Sequence, residues 1–308
     1  MQITKRSSTL IIATLLASLT LSGCSAKALD TSQTESSAKK SNTLVVASQD
    51  YYSNEIIAET YAQALEAEGY TVQRDMRIGQ REVYLPEITS GKIDLFPEYS
   101  GPLLQYWNKN TTVTTSEDVY HQLKSSAPAH LAILKQSPAT DQDAYVVTKS
   151  FADKWSLTSI EDLARVTAAG EKITMGANSE AENRPNGPRG LKKTYGVQAD
   201  FAPIEDSGGP LTVKALKDGQ VQMAIMYTGN PSIAKNNLVV LKDTKGLFLS
   251  SHIVPVASHR LDAHAVETVN KISDSLTSEA LLELNRRSVD EQLSAHDIAA
   301  DWLKTLKK

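Results

Sequence analysis

The sequence contains a single cysteine, Cys24, so no disulfide bond can form within the chain. It also lacks any long basic run, and its 32 Lys and Arg against 36 Asp and Glu give a net charge of −4, which does not favour a nucleic-acid partner. Hydrophobic residues make up 41% and charged residues 22%, values typical of globular proteins. The 308 residues are too many for one ordinary domain, so we expect two, each held together by packing alone.

Enzyme and metal-binding motifs are missing as well. The chain has no Gly-x-Ser-x-Gly elbow, no Walker loop and no His-Glu-x-x-His. Its six histidines are scattered without metal-ligand spacing. A glycine-rich stretch at 207–210 could suggest phosphate binding, but a tight turn before a helix explains it better. The sequence therefore predicts no catalysis, no cofactor and no metal site.

The first residues have the pattern of a targeting segment. Two basic residues precede an apolar run from Leu10 to Leu21, and Leu-Ser-Gly-Cys follows, ending at Cys24. This pattern is typical of a secretory signal and is too short for a permanent membrane span. Residues 21–24, Leu-Ser-Gly-Cys, resemble the bacterial lipobox, in which the cysteine is lipidated and becomes the mature N-terminus. The alternative is a plain signal with an incidental cysteine. We expect a signal peptide at 1–23, a lipidated Cys24 with a flexible tether over 24–42, and an extracytoplasmic protein anchored to the cell membrane.

One stretch of the chain, Ile88 to Gly101, recurs at Leu216 to Gly229. Each copy has the pattern of a helix end, a glycine turn and a short apolar strand, followed by a tyrosine, a hydroxyl residue and a glycine. Two copies predict two similar α/β lobes, each with a tyrosine at the end of a strand. Ligands of open α/β sheets bind at such strand ends. The repeat therefore predicts a two-lobed binding protein with its ligand between facing loops.

Strands that alternate with helices elsewhere predict a parallel sheet in each lobe. The β-rich run at 143–148 is expected to carry the chain into the second lobe, and the run at 249–257 to return it. The helical C-terminal residues are assigned to the first lobe. The expected division is 43–144 plus 252–308 for lobe 1 and 145–251 for lobe 2.

Several helix ends carry capping residues. Ser53 is positioned to cap the first long helix, and Thr277 and Ser294 are expected to cap the last two. Leu306 has the spacing of a residue that faces the core of the final helix.

The chain has 11 tyrosines but only 4 phenylalanines, an imbalance that a core alone does not require. Tyrosine suits a binding cleft because its face attracts cations while its hydroxyl remains hydrated. For any single tyrosine, packing at a strand end is the simpler explanation. For Tyr99 and Tyr227, which end the two copies of the repeat, a ligand contact is favoured.

Two places could bind an anion. Arg184, in the loop 178–190, could hold a carboxylate with two hydrogen bonds, although a solvated loop with counter-charged neighbours is an equal alternative. The backbone N–H groups at the start of the helix near Ser53 form the second possible site.

Several stretches together resemble the substrate-binding lipoproteins of osmoprotectant ABC importers. They are the lipobox, the first strand and loop at 43–57, the motif at 91–101, the run at 141–147 and the region at 205–229. The resemblance covers essentially all of 43–308. It implies the type II periplasmic-binding-protein fold, with two α/β lobes joined by two crossing strands that close over the ligand. It also implies binding of glycine betaine, choline, carnitine or a related compound, and delivery to ABC permease subunits.

The resemblance further implies an aromatic cage made mostly of tyrosines, with polar groups for the ligand's carboxylate. By position, the cage tyrosines are Tyr99, Tyr145 and Tyr227. A fourth is expected where this chain has His252, a poorer wall for a cation. That difference puts specificity for trimethylammonium compounds in question, although Tyr51 or Tyr52 could supply the wall.

Other positions follow the family in the same way. Asp143 resembles an acidic residue near the cage in some members, and Arg184 lies in the loop where an anion-binding arginine is expected. The complete set of expected ligand-binding residues is Tyr99, Tyr145, Tyr227, His252, Asp143, Thr228, Arg184, Asp50 and Asn54.

The sequence thus predicts a monomeric solute-binding protein, not an enzyme, that captures a quaternary amine or zwitterionic osmoprotectant. Two alternatives remain open: an exported two-lobed protein that binds an amino acid or another small zwitterion, and an enzyme on the same scaffold.

Overall fold

The computed structural model of the protein describes residues 43–306. The expected signal peptide, the lipidated Cys24 and the tether lie outside the described residues.

No helix between residues 43 and 306 combines the length and apolar character that a membrane span requires.

The first sheet draws its strands from both ends of the chain. Its strands run in the order β2-β1-β3-β10-β4, with β1 parallel to β2 and β3, and β10 antiparallel to β3 and β4. These strands are β1 (Thr43–Ala47), β2 (Thr71–Asp75), β3 (Leu95–Tyr99), β4 (Leu131–Ile133) and β10 (Ile253–Ser258).

Seven helices of residues 43–306 belong to the same lobe as the first sheet. They are α1 (Tyr52–Ala67), α2 (Arg81–Thr89), α3 (Ser100–Trp107), α4 (Ser116–Ser126), α10 (Ala263–Ser275), α11 (Ser278–Glu291) and α12 (Ala295–Leu306). Helix α1 contacts all three C-terminal helices through a shared apolar core, which includes the fully buried Tyr61, Leu65 and Ile298.

The second sheet is built from one continuous part of the chain, in the order β7-β6-β8-β5-β9. Its strands are β5 (Asp143–Thr148), β6 (Thr174–Ala177), β7 (Asp200–Pro203), β8 (Met223–Tyr227) and β9 (Leu238–Val240). Its helices are α5 (Lys149–Trp155), α6 (Leu163–Ala168), α7 (Pro188–Tyr195), α8 (Pro210–Lys217) and α9 (Ser232–Lys235), with 3-10 turns at Ile160–Asp162 and Ser179–Asn183. The two sheets and their helices form the two-lobed α/β fold that the sequence predicted.

The internal repeat is confirmed in detail. Gly91 and Gly219 adopt φ values of +76° and +71° after helices α2 and α8, a conformation that glycine adopts at little cost. The strands that follow, β3 and β8, each end on a tyrosine. Each lies between one parallel and one antiparallel neighbour, so the two occupy equivalent places in the two sheets.

The two connections between the sheets are the segments that lead from β4 into β5 and from β9 into β10. All six residues of β5 belong to the second sheet, and β10 inserts between β3 and β4 of the first. The return strand begins at Ile253, later than expected, because residues 249–251 pair with no strand and His252 pairs only with Thr140, in an isolated bridge. The residue-level division into 43–144 plus 252–308 and 145–251 stays a prediction.

The helix caps were predicted with mixed success. The hydroxyls of Thr277 and Ser294 accept hydrogen bonds from backbone N–H groups at the starts of α11 and α12, as expected. The cap at Ser53 was wrong, because α1 already begins at Tyr52 and the Ser53 side chain makes no cap bond. Leu306 was also wrongly assigned to a core, since 39% of its surface is exposed.

Candidate ligand-binding site

Four tyrosines meet where the two lobes face each other. We call Tyr51, Tyr52, Tyr99 and Tyr227 the tyrosine cluster. The Tyr51 ring centroid lies 4.8 Å from that of Tyr52 and 4.6 Å from that of Tyr227. Tyr51 and Tyr99 are 3% and 6% exposed. Tyr99 and Tyr227 lie close enough to the Tyr51 hydroxyl to contribute to the rise of its pKa. The cluster joins the start of α1 to the carboxyl ends of β3 and β8.

Two hydroxyl groups of the cluster have no hydrogen-bond partner among residues 43–306. The Tyr51 and Tyr52 hydroxyl oxygens are both buried and make no well-formed hydrogen bond, although the Tyr51 hydroxyl lies close to the Asp141 carboxylate and to the Tyr52 hydroxyl. Burial raises the pKa of Tyr51 well above its usual value, so the hydroxyl stays protonated as a potential donor. Because buried polar side-chain atoms are generally hydrogen-bonded, these two groups are suited to a polar ligand atom or a bound water.

Asn54, a predicted site residue, positions the cluster. Its amide donates to the Pro97 carbonyl at 2.8 Å and to the Tyr99 hydroxyl at 3.4 Å, and its oxygen accepts from the Gln49 N–H. With its hydrogen-bonding groups used in this way, Asn54 holds the end of β3 against α1.

Asp141 borders the cluster and was missed by the sequence reasoning. Its side chain is buried, and one carboxylate oxygen accepts from the Gly229 N–H at 2.8 Å. The other oxygen lies 3.5 Å from the Ser53 hydroxyl, which donates to it. Burial raises the pKa of Asp141 to about 7, and the nearby Asp143 carboxylate adds to the rise. Strand alternation could have identified Asp141. Residues two positions apart in an extended chain lie on the same side, and Asp143, two positions later, was already a predicted site residue.

Asp143 lies beside a small cavity at the second lobe. One of its carboxylate oxygens accepts from the Asn186 amide at 2.9 Å. Burial raises the pKa of Asp143, although the positive charges of Arg184 and Arg81 oppose the rise. The cavity has a volume of about 20 Å³, and its polar lining residues include Asp143, Asn178, Arg184, Asn186, Ser207 and Tyr227.

A buried ion pair supports the strand that carries Tyr99. The Arg81 guanidinium binds the Glu98 carboxylate through two hydrogen bonds of 2.7 and 3.0 Å, and their side chains are 8% and 0% exposed. Glu98 also accepts from the Tyr84 hydroxyl and from the Tyr99 N–H, both at 2.6 Å. These four bonds fix the backbone of Tyr99.

A second arginine, Arg184, forms an ion pair between the lobes. It donates to the Glu82 carboxylate of α2 through two bonds of 3.2 and 2.8 Å. Close by, the Gln80 amide donates to the Ser207 hydroxyl at 3.4 Å, and that hydroxyl donates to the Asp50 carbonyl at 3.4 Å. Arg184 and Asp50, both predicted site residues, thus take part in contacts that hold the lobes together.

The loop that carries Arg184 is tightly folded. A Cβ atom on Gly187 would lie 2.0 Å from the Ala181 carbonyl oxygen, and one on Gly190 would lie 1.6 Å from that of Pro185. Only glycine permits this approach, so the loop presents Arg184 in a defined direction.

Three predicted residues lie apart from the tyrosine cluster. Tyr145 is fully buried; its hydroxyl donates to the Asn186 carbonyl at 2.8 Å and its ring packs on Phe248 in the core of the second lobe. The His252 ring lies 2.9 Å from the Ser137 carbonyl oxygen. Among the described residues, neither ring stacks on the four tyrosines of the cluster.

Thr228, the third, is exposed, and its hydroxyl accepts from the Gln142 N–H. It ties the end of β8 to the segment before β5.

Within residues 43–306, no group of three or more His, Cys, Asp or Glu side chains is arranged to hold a metal ion.

Residues 42–305 match a protein family described as the substrate binding domain of ABC-type glycine betaine transport systems. The chain is 25% identical over 261 residues to the glycine betaine-binding protein YehZ of Escherichia coli (strain K12), covering 81% of this chain and 86% of that protein.

Two solved structures share the fold. The crystal structure of a glycine betaine/carnitine/choline ABC transporter has a TM-score of 0.68 at 20% identity and covers 85% of this chain and 98% of that one. Lactococcal OpuAC in its closed conformation with glycine betaine has a TM-score of 0.58 at 17% identity, covering 86% and 96%.

Proposed function

Because the chain belongs to the family of substrate-binding domains of ABC-type glycine betaine transport systems, we propose that it captures a quaternary amine or betaine-type osmoprotectant in an aromatic cage and delivers it to ABC permease subunits. The observation that carries this proposal is the tyrosine cluster, in which the rings of Tyr51 from one lobe and Tyr227 from the other are in contact, with centroids 4.6 Å apart, so that a ligand would enter between them as the lobes part. A quaternary ammonium has no N–H to donate, so aromatic faces are its natural partners.

The cage of the proposal consists of the tyrosine cluster. Tyr99 and Tyr227 are retained from the sequence prediction, and Tyr51 and Tyr52 supply the wall that was in question at His252. Tyr145 supports the small cavity beside Asp143, because its hydroxyl donates a hydrogen bond to the carbonyl of Asn186, which lines that cavity. The relative in E. coli is named for binding glycine betaine, which supports a ligand of this class.

Ligand capture is proposed to use hinge closure. The segments that lead into β5 and β10 connect the lobes, and the Arg184–Glu82 pair with the Gln80–Ser207 contact lies at the facing surfaces. Two-lobed binding proteins close around their ligands about such connections. These contacts form when the lobes approach, so they stabilise the closed state.

The remaining proposals concern the chain's location. Members of this family are transport proteins and not enzymes. We propose that residues 1–23 are removed as a signal peptide, that Cys24 is lipidated, and that 24–42 tether a monomeric binding protein to the outer side of the cell membrane. Metabolic labelling with a fatty-acid analogue tests the anchor, since Cys24→Ala should abolish the label.

Removal of a cage wall should weaken ligand binding. Tyr99→Ala and Tyr227→Ala are each expected to reduce the affinity for choline or glycine betaine by about 1–2 kcal/mol, because each removes one cation–π face. Isothermal titration calorimetry of the tether-free protein measures the change. Tyr106→Ala, which removes a tyrosine that is 40% exposed on α3, provides the matched control and should have no effect. Unchanged affinity in both cage variants would show that Tyr99 and Tyr227 contribute to packing and not to ligand binding.

A further inference from the structure

Helix α11 contacts both lobes, although it packs in the core of only one of them. Its apolar residues Leu281 and Leu284 belong to the core that surrounds α1 in the first lobe. Polar contacts at the start, the middle and the end of the helix reach beyond that core. We describe these three contacts in turn, because none of them touches the tyrosine cluster directly.

The start of α11 holds one of the two connections between the lobes. The Ser278 hydroxyl accepts from the Thr140 N–H at 3.0 Å. Just before the helix, the Leu276 carbonyl accepts from the Ser137 hydroxyl at 2.6 Å. Ser137 and Thr140 lie in the segment between β4 and β5. Two-lobed binding proteins open and close about such connections, so α11 begins at the proposed hinge.

The middle of α11 reaches the second lobe through Asn285. This side chain is fully buried, and its amide donates to the Gly229 carbonyl at 2.9 Å. The side-chain oxygen of Asn285 has no hydrogen-bond partner among residues 43–306. Because a buried polar atom without a partner costs free energy, packing alone does not account for an asparagine at this position. The bond to Gly229 does.

Gly229 is held from both sides. Its N–H donates to the Asp141 carboxylate at 2.8 Å, and its carbonyl accepts from Asn285. A Cβ atom at position 229 would lie 2.8 Å from an Asp141 carboxylate oxygen and 3.3 Å from the Asn285 amide nitrogen. Gly229 comes two positions after Tyr227 of the tyrosine cluster. Hydrogen bonds therefore connect α11, through Gly229, to a carboxylate that borders the cluster.

The end of α11 makes a second contact with the second lobe. Asp290 forms an ion pair with Lys235 of α9, and the two side chains are 28% and 59% exposed. Such a pair at the surface contributes little by itself. At 1.5 Å per residue, the contacts at Ser278 and Asp290 lie about 18 Å apart along the helix axis. Helix α11 thus spans the distance from the hinge to α9.

From these contacts we propose that α11 stabilises the closed arrangement of the lobes from outside the ligand site, with Asn285 as a positioning residue for that site. The inference rests on the proposed function and adds to it a helix that controls affinity without touching the ligand. When the lobes part, Gly229 and Lys235 move with the second lobe, whereas α11 stays with α1. The bonds to them favour the closed state, and the apparent affinity rises with the population of that state.

The separation of the lobes can be measured without any ligand. Cys24 is the single cysteine of the chain, so the tether-free protein contains none. Val83→Cys and Leu211→Cys replace side chains that are 56% and 62% exposed at the starts of α2 and α8, and they attach one spin label to each lobe. Pulsed electron spin resonance then gives the distance between the labels. Asn285→Ala should shift the ligand-free distances to longer values, and saturating glycine betaine should reverse the shift.

The same variant should weaken ligand binding. Asn285→Ala leaves the buried Gly229 carbonyl without its donor in the closed state, so we expect the affinity for glycine betaine to fall about tenfold. Calorimetry measures the affinity, and stopped-flow fluorescence should show faster dissociation. Asn270→Ala makes the same change on α10, where the side chain accepts from the Lys135 N–H within the first lobe. This control should change neither the label distances nor the affinity.

A second pair of variants tests the far end of α11 without disturbing a buried side chain. Asp290→Lys places two lysines together, and it should lower the affinity for glycine betaine two- to fivefold at low salt and hardly at all at 1 M salt. Combining it with Lys235→Asp exchanges the two charges and should restore both the affinity and the label distances. Because both positions are at the surface, these proteins should fold even if Asn285→Ala does not.

The outcomes separate this inference from the function beneath it. If folded Asn285→Ala keeps the label distances and the affinity of the unmodified protein, α11 does not control closure and the inference is wrong. A charge exchange that fails to restore what Asp290→Lys loses would also overturn it. If the unmodified protein binds neither glycine betaine nor choline, the proposed function is wrong, and the ligand-free label distances still decide the role of α11.

Discussion

Asp141→Asn should weaken choline binding by roughly a hundredfold, equivalent to about 3 kcal/mol, because removing one member of a buried charge pair leaves the other charge without its partner. The side chain keeps its shape, and its remaining oxygen can still accept from the Gly229 N–H. The loss therefore reports the charge. Calorimetry at pH 8 measures it, and Glu117→Gln on the exposed face of α4 is the control for a carboxyl-to-amide change.

The same substitution should stabilise the ligand-free protein at pH 8. Burial raises the pKa of the Asp141 carboxyl to about 7, so ionising it in the folded state costs free energy that an amide does not. We expect a higher melting temperature for Asp141→Asn than for the unmodified protein at pH 8, and a smaller difference at pH 5. A lower melting temperature at both pH values would show that the variant loses packing, and the binding loss could then not be assigned to charge.

The pH dependence has a defined sign. The unfolded carboxyl titrates near 3.8 and the folded one near 7, so the stabilising contribution of Asp141 is complete below pH 3.8 and is lost as the pH rises through 7. Cation binding follows the opposite direction, because it needs the ionised form.

Affinity for choline should therefore rise by up to about tenfold per pH unit as pH 7 is approached, and level off above it. The titratable groups that face Asp141 are Asp143, Tyr51, Tyr52, Tyr99 and Tyr227; burial raises the pKa values of all of them. Asp141→Asn should flatten the profile, and an unchanged slope in that variant would assign the titration to another group.

Glu98→Ala should produce the largest loss of stability. It leaves the Arg81 guanidinium buried without a counter-charge and removes the acceptor for the Tyr84 hydroxyl and the Tyr99 N–H. Breaking a buried ion pair from one side costs about 3–5 kcal/mol, and in a protein of this size that lowers the melting temperature by roughly 10 °C. Thermal unfolding followed by circular dichroism gives the measurement.

The matched variants for Glu98 distinguish the unpaired charge from lost packing. Arg81→Met combined with Glu98→Leu removes both charges and should recover much of the stability lost by Glu98→Ala. Glu117→Ala changes an exposed carboxylate and should have almost no effect. A double variant as unstable as Glu98→Ala would show that the hydrogen bonds to Glu98, and not the charge of Arg81, hold this region together.

The sequence predicted the framework of the site well, because that framework depends on local patterns. The glycine turns at Gly91 and Gly219 and the apolar runs after them are visible in the repeat, and they place Tyr99 and Tyr227 at equivalent strand ends. The two-lobed fold followed from the alternation of helices and strands. Such signals extend over fewer than about twenty residues, within the range of periodicity and turn chemistry.

The electrostatics of the site could not be predicted in the same way. Arg184 and Glu82 are far apart in the sequence, and only the facing of the lobes makes them a pair. Serine commonly caps helices, yet the hydroxyl of Ser53 contacts Asp141, which comes 88 positions later in the sequence. Tyr145 shares a strand face with Asp143, but its depth in the core is set by Phe248 from a later segment. Each of these outcomes depends on tertiary contacts that leave no local pattern.

The insertion of β10 between β3 and β4 affects the order in which the protein can fold. Strands β5 to β9 come from one continuous segment, so the second sheet can assemble as soon as that segment is available. The first sheet cannot close until residues 253–258 arrive, and α1 cannot complete its core before the last three helices do. Contacts so distant in sequence form slowly because a long loop must close before they contribute. Because the chain is synthesised from its N-terminus, the first lobe should remain incomplete and exposed until synthesis is nearly finished. Chaperones are expected to bind that lobe.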